Sequence, residues 1–159
     1  MHPIGEAAIF YLRKLTKESF DQIDGVPIED VNNWRPSLGL EDINTFFALL
    51  THSISAGEYW LLAVAAEKPS HRDRPSEFIA TGDIAALRAR ADNWLAKSEA
   101  LLDGFTADDY GRVVSYMSVI SGGQATDTIA NCVVHAVDHT ANHLGHLQLQ
   151  RQVWNAEHR

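Results

Sequence analysis

Apolar residues recur at helical spacing in several stretches of the 159-residue chain, and proline- or glycine-containing segments separate these stretches. The first stretch, residues 5–24, carries an apolar stripe made of Ala8, Ile9, Leu12, Leu15, Ser19, Phe20 and Ile23. Gly25 and Pro27 follow it, which predicts that a first helix ends there. We expect residues 25–39 to form a connecting loop in which Trp34 packs on the rest of the protein.

The second stretch, residues 40–65, is apolar on two opposed sides of a predicted helix. His52 lies midway along it, on the same face as Thr45, Ala48, Leu49, Ala56, Tyr59 and Ala63. The opposite face carries Ile43, Phe47, Leu50, Ile54 and Leu61. A helix that is apolar on two faces must be covered on both. We expect the first helix or the second subunit of a homodimer to provide the second cover.

The rest of the chain supplies two further helices and two long connections. Residues 66–82 contain prolines and basic residues and are expected to form an exposed loop, and a third helix is predicted for residues 83–103. Residues 104–125 combine a β-like run with a glycine pair, which indicates an extended crossover with a short strand. The pattern predicts an all-α fold, a four-helix bundle with long crossover connections, as a single domain over residues 1–159.

The last helix, predicted to begin near Thr126, carries the most distinctive chemistry. Four of the eight histidines occupy twelve positions of it: His135, His139, His143 and His146. On a helical wheel they fall within roughly 80° of one another, at the border of the apolar sector. Imidazoles at positions i and i+4 can bind one metal ion, and this spacing occurs twice here. His52, on a helix that must pack centrally, is the best third ligand.

Composition excludes several classes of protein. The formal charge of −8 argues against a general nucleic-acid or anionic-membrane binder. No run approaches the ~20 apolar residues of a membrane span, and we expect no signal peptide. Cys132 is the single cysteine, so an internal disulfide is excluded and a reducing, cytoplasmic location is expected. A lone cysteine on a helix is typical of a small core residue.

These residues resemble the DinB/YfiT-like superfamily of metal-binding four-helix bundles. The resemblance rests on Asn33-Trp34-Arg35-Pro36, on Leu49-Leu50-Thr51-His52, and on the spacing from His135 to His146. It implies a metal site formed by His52, His139 and His143, with Gly145 closely following the last ligand. Many relatives have glutamine where this chain has His146, which leaves open a fourth nitrogen ligand or an exposed side chain. We expect His135, His146 and Tyr59 to line the pocket.

The resemblance also implies a divalent ion, nickel or zinc, and a homodimer. An open metal site lowers the pKa of a bound water or thiol and so provides a nucleophile at neutral pH. With a low-molecular-weight thiol as co-substrate, the reaction is S-transfer or thiol-dependent isomerisation of a small molecule. With water it is hydrolysis. The alternative is a metal-binding or small-molecule-binding module without turnover. No nucleic-acid or membrane partner is expected.

Overall fold

The structure is a computed structural model that describes residues 1–37, 43–118 and 122–159. Its elements are mostly helical, which confirms the predicted all-α class. In chain order they are α1 (Pro3–Asp21), α2 (Ile28–Asn33), α3 (Phe46–Gly57), a π-helical continuation of α3 (Glu58–Ala65), α4 (Arg74–Glu77), α5 (Ile84–Asp103), α6 (Ala107–Gly111), β1 (Val113–Met117), β2 (Gln124–Thr128) and α7 (Ile129–Glu157).

Side-chain caps determine where the two histidine-bearing helices begin. The Thr45 hydroxyl accepts a hydrogen bond from the backbone N–H of Ala48, and the Thr128 hydroxyl accepts one from the backbone N–H of Asn131. Such caps satisfy N–H groups that have no partner within the helix. The second helix therefore starts later than the predicted residue 40, although residues 40–42 themselves lie outside the described residues. Thr128, which caps the last helix, lies two residues after Thr126, near which the sequence placed the start of that helix.

The core lies where α7 packs against α1 and α3 and where α5 closes the other side. Its largest fully buried side chains include Trp94, Phe46, Leu12, Leu50, Leu61, Leu102, Ile129 and Leu147. All twelve residues of α3 are buried, which agrees with a helix that is apolar on two faces. The central position of α3 keeps His52 away from solvent, with 5% of its surface exposed.

The second apolar face of α3 is covered within one chain. Leu50 and Ile54 are only 2% and 3% exposed, and α3 packs against α2, α4, α5 and α7. α1 packs mainly against α5 and α7, so it is not the main cover that the sequence suggested. The homodimer stays a prediction, but this face no longer supports it.

The predicted connections contain more structure than the sequence indicated. The segment 25–39 includes α2, and Trp34 stacks on Phe46 with ring centroids 5.6 Å apart, as expected of an anchor. The segment 104–125 includes α6 and β1, and β1 pairs antiparallel with β2. Positions 119 and 120 of the β-like run lie outside the described residues. No helix in the described part of the chain is long and apolar enough to cross a membrane.

The prediction of a simply exposed loop at residues 66–82 is wrong in one important respect. The loop folds into α4, and the carboxylate side chain of Glu77 at the end of α4 is buried, with 4% of its surface exposed. A buried carboxylate is costly unless it is paired. Its partners are His52 and Arg72, which makes this loop a wall of the histidine site.

Candidate metal centre

α3 and α7 bring three imidazoles together in the interior. Each of His52, His139 and His143 offers one ring nitrogen such that these atoms all lie within 4.8 Å of one another. His139 and His143 are one helical turn apart, and their Nε2 atoms are separated by 3.3 Å. The His52 ring centroid lies 5.1 Å from that of His139 and 4.8 Å from that of His143. The spacing within α7 and the central position of α3 together create this cluster.

The donor set fits a divalent metal ion. Two nitrogens that each lie about 2.0–2.1 Å from a tetrahedral ion are about 3.3 Å apart, which matches the Nε2 separation of His139 and His143. Burial, reinforced by the neighbouring imidazoles, lowers the pKa of His139 to about 3 and that of His143 to about 4. Both rings are therefore neutral at pH 7, which is the form that binds a metal.

A buried carboxylate holds the other nitrogen of His52. The Oε2 atom of Glu77 lies 2.7 Å from Nδ1 of His52. Arg72 donates to both oxygens of Glu77, at 2.6 Å to Oε1 and 2.8 Å to Oε2. Burial by itself raises the pKa of Glu77, but hydrogen bonds from Arg72 and His52 outweigh burial and lower it. A carboxylate that accepts from Nδ1–H leaves Nε2 of His52 as the free nitrogen.

The two candidate ligands on α7, His139 and His143, differ in the surroundings of their Nδ1 atoms. Nδ1 of His143 lies 3.3 Å from Nδ1 of His146, whereas Nδ1 of His139 is buried without a hydrogen-bond partner among the described residues. His146 thus approaches the ring of His143 on the nitrogen that does not face His139. This geometry favours a supporting role for His146 over that of a fourth ligand.

The remaining sequence-predicted residues lie around the cluster. The centroid of the His135 ring lies 4.2 Å from that of the Trp60 ring and 6.0 Å from that of the His139 ring. His135 is not part of the cluster formed by the three candidate ligands. Cys132 is also outside this cluster, and burial raises the pKa of its thiol to about 11, so the metal-free thiol is neutral at pH 7. Asp138 is exposed and accepts a hydrogen bond from Asn142.

Two cavities lie beside the Arg72–Glu77 pair. Tyr59 and Arg72 line both of them, whereas the three clustered histidines line neither, and nor do His135 and His146. One has a volume of about 510 Å³ and also reaches Glu77 and Arg90. The other has a volume of about 750 Å³ and extends along β1 past Tyr116. Burial raises the pKa of Tyr59, whose hydroxyl donates to the backbone carbonyl of Met117. Cavities of this size accommodate small molecules.

Sequence reasoning missed Glu77 and Arg72. Periodicity could not find them, because they lie in a largely irregular segment, 20 and 25 residues after His52 for Arg72 and Glu77 respectively. The one available signal was chemical: a ligating histidine needs a partner for its second nitrogen. That requirement predicts a carboxylate or carbonyl near His52, but the sequence offers many acidic residues and gives no reason to choose Glu77.

Comparison with known proteins assigns the chain to a family. A model of the DinB superfamily matches residues 11–147, so the chain belongs to the DinB superfamily. The fold is also similar to a crystal structure described as the conserved protein of locus from Enterococcus faecalis. That similarity has a TM-score of 0.66 at 13% identity and covers 93% of this chain and 95% of that one. At this identity it shows the fold alone. No curated protein matches the chain.

Proposed function

We propose that this protein binds one divalent metal ion, zinc or nickel, through His52, His139 and His143, and acts as a metal-dependent enzyme on a small molecule. The observation that carries the proposal is the convergence of three ring nitrogens within 4.8 Å from two different helices. Imidazole suits zinc and nickel. Three protein ligands leave coordination positions open, as in catalytic rather than structural sites.

The surroundings favour thiol chemistry. A divalent ion with open positions strongly lowers the pKa of a bound thiol, which then needs no protein base to become a nucleophile. The nearby carboxylate of Glu77 has both oxygens engaged by His52 and Arg72, so it is suited to orient a ligand rather than accept a substrate proton. S-transfer or thiol-dependent isomerisation is therefore the preferred reaction type. A reducing compartment such as the cytoplasm would keep the thiol co-substrate reduced.

The metal site is tested by elemental analysis of protein purified without an affinity tag. We expect one ion per chain in the wild type and a large loss of metal in His52→Ala, His139→Ala and His143→Ala. The matched control is His71→Ala, because His71 is an exposed histidine of the neighbouring loop. Stoichiometry that is unchanged in the His139→Ala and His143→Ala variants would contradict the assignment.

The reaction is tested with metal-loaded protein, a panel of low-molecular-weight thiols and a panel of electrophilic or isomerisable small molecules. Turnover that requires both metal and thiol supports the proposal. Turnover that requires metal but no thiol would instead identify a metal-dependent hydrolase. Metal binding without turnover across the panels would favour a non-catalytic binding module.

A further inference from the structure

The larger of the two cavities, which Arg72 and Tyr59 line, is basic, although the chain as a whole is acidic. Lys68, Arg72 and Arg74 line it, and Glu67 is its one acidic lining residue in the described part of the chain. The formal charge of the whole chain is −8. A local concentration of positive charge on an acidic protein attracts anions to that one place.

The existing ion pairs leave two of these cations without a partner carboxylate. Glu67 is paired with Arg112 at 2.9 Å, and Arg72 is paired with Glu77. Lys68 and Arg74 form no ion pair with any residue that the structure describes. Their charges are thus available to a ligand.

Aromatic contacts connect Arg74, at the wall of this cavity, to His52 of the candidate metal centre. The guanidinium carbon of Arg74 lies 4.8 Å from the centre of the Phe78 ring, and that ring lies 4.7 Å from the His52 ring. On the other side, the guanidinium carbon of Arg72 lies 5.5 Å from the centre of the Tyr59 ring. Arg72 provides a second link, because it lines this cavity and also holds Glu77, whose carboxylate contacts His52.

We propose that the substrate or co-substrate is a small organic anion whose carboxylate or similar oxyanion group is held by Lys68 and Arg74. Both cations can donate charge-assisted hydrogen bonds to such a group. The rest of the molecule lies against Tyr59 and Tyr116 and directs its reactive group toward the three imidazoles. This inference rests on the proposed function, since it describes the substrate class of the same site.

The test compares para-mercaptobenzoate with para-mercaptobenzamide as ligands of the zinc-loaded full chain, by calorimetric titration. The two probes have the same thiol, ring and length, and only the first carries a charge at the end remote from the thiol. We expect the benzoate to bind about fivefold or more tightly than the amide, the order of magnitude of one or two charge-assisted contacts. The double variant Lys68→Gln, Arg74→Gln should lose this preference while its zinc stoichiometry stays at the wild-type value.

The matched control is the double variant Lys97→Gln, Arg88→Gln, which removes two positive charges from α5 and should keep the preference for the benzoate. Equal affinity for the two probes in the wild type, or a preference that survives in the Lys68→Gln, Arg74→Gln variant, would overturn the inference. The ratio of the affinities for the benzoate and the benzamide can also be measured on metal-free protein by NMR titration. Failure of zinc binding, which counts against the proposed function, is therefore distinguishable from failure of the anion site.

Discussion

The carboxylate of Glu77 lies 2.7 Å from Nδ1 of His52, and both side chains are almost fully buried. The pair joins the centre of α3 to the end of α4. Arg72 fixes the carboxylate from the other side with two hydrogen bonds. In metal sites such a carboxylate holds the imidazole in one tautomer and orientation and increases its basicity. The loop between α3 and α5 thus contributes to the site without supplying a ligand.

The first prediction concerns this contact. Glu77→Gln keeps the size of the side chain but removes its charge, so it should weaken zinc binding by about 10- to 100-fold, as is usual for partners of ligating histidines. The dissociation constant is measured by competition with a chelator. The control is Glu99→Gln, which removes an exposed carboxylate paired with Arg13 and should leave the dissociation constant for zinc unchanged. Unaltered affinity in a folded Glu77→Gln protein would show that the contact does not support the metal.

The second prediction concerns metal removal. An ion that binds only the folded chain stabilises it by about 2.7 kcal/mol when its free concentration is 100 times the dissociation constant. Treatment with a chelator should therefore lower the melting temperature of the wild type. The His139→Ala, His143→Ala double variant should melt at the same temperature with and without the chelator. A chelator effect of equal size in both proteins would mean that the stabilising ion lies elsewhere.

The long periodic helices were predictable from the sequence, whereas the buried carboxylate of Glu77 that holds His52 was not. The stripe that contains Leu12 and the histidine spacing of α7 are local patterns, so they indicate helices before any packing is known. The position of His52 against His139 follows from the fact that α3 is apolar on both sides and must be central. The burial of Glu77, in contrast, depends on how an irregular segment folds back, and the local sequence does not encode that.

The third prediction concerns the pH dependence of the metal-free protein. Unfolded histidines have a pKa of about 6.5, whereas the pKa values of folded His139 and His143 are about 3 and about 4. As pH falls from about 6.5 toward 5, the unfolded chain binds protons that the folded chain does not. Stability must therefore decrease as pH falls through this range. Urea denaturation of chelator-treated protein at about pH 7 and about pH 5 measures the change.

Variants of the histidines identify the source of this dependence. The His139→Gln, His143→Gln double variant should lose much less stability between the two pH values than the wild type, because two of the proton-binding groups are gone. His71→Gln removes an exposed histidine and should keep the wild-type dependence. A double variant with the same pH dependence as the wild type would show that these two rings are not buried as neutral imidazoles.

The absence of a side chain at Gly57 allows α5 to approach α3 closely. Trp94 of α5 is buried with 1% of its surface exposed, and a Cβ atom at position 57 would overlap its indole ring. Gly57 is the last residue of α3 before the π-helical segment, which contains Tyr59. The sequence gives no sign of this contact, because a glycine within an apolar helix has several explanations.

The last prediction compares two glycines that both lie within helices. Gly57→Ala should destabilise the protein by about 1–3 kcal/mol, because Trp94 or the helix backbone must move to make room in a closely packed core. Gly145→Ala is the matched control: a Cβ there meets nothing within 4 Å, and the residue is exposed on α7. Alanine has a higher helix propensity than glycine and restricts the unfolded chain more. The free energy of unfolding of this variant should therefore increase by about 0.4–1 kcal/mol. Chemical denaturation measures both. A Gly57→Ala protein as stable as the wild type would contradict the close approach of α3 and α5 at Trp94.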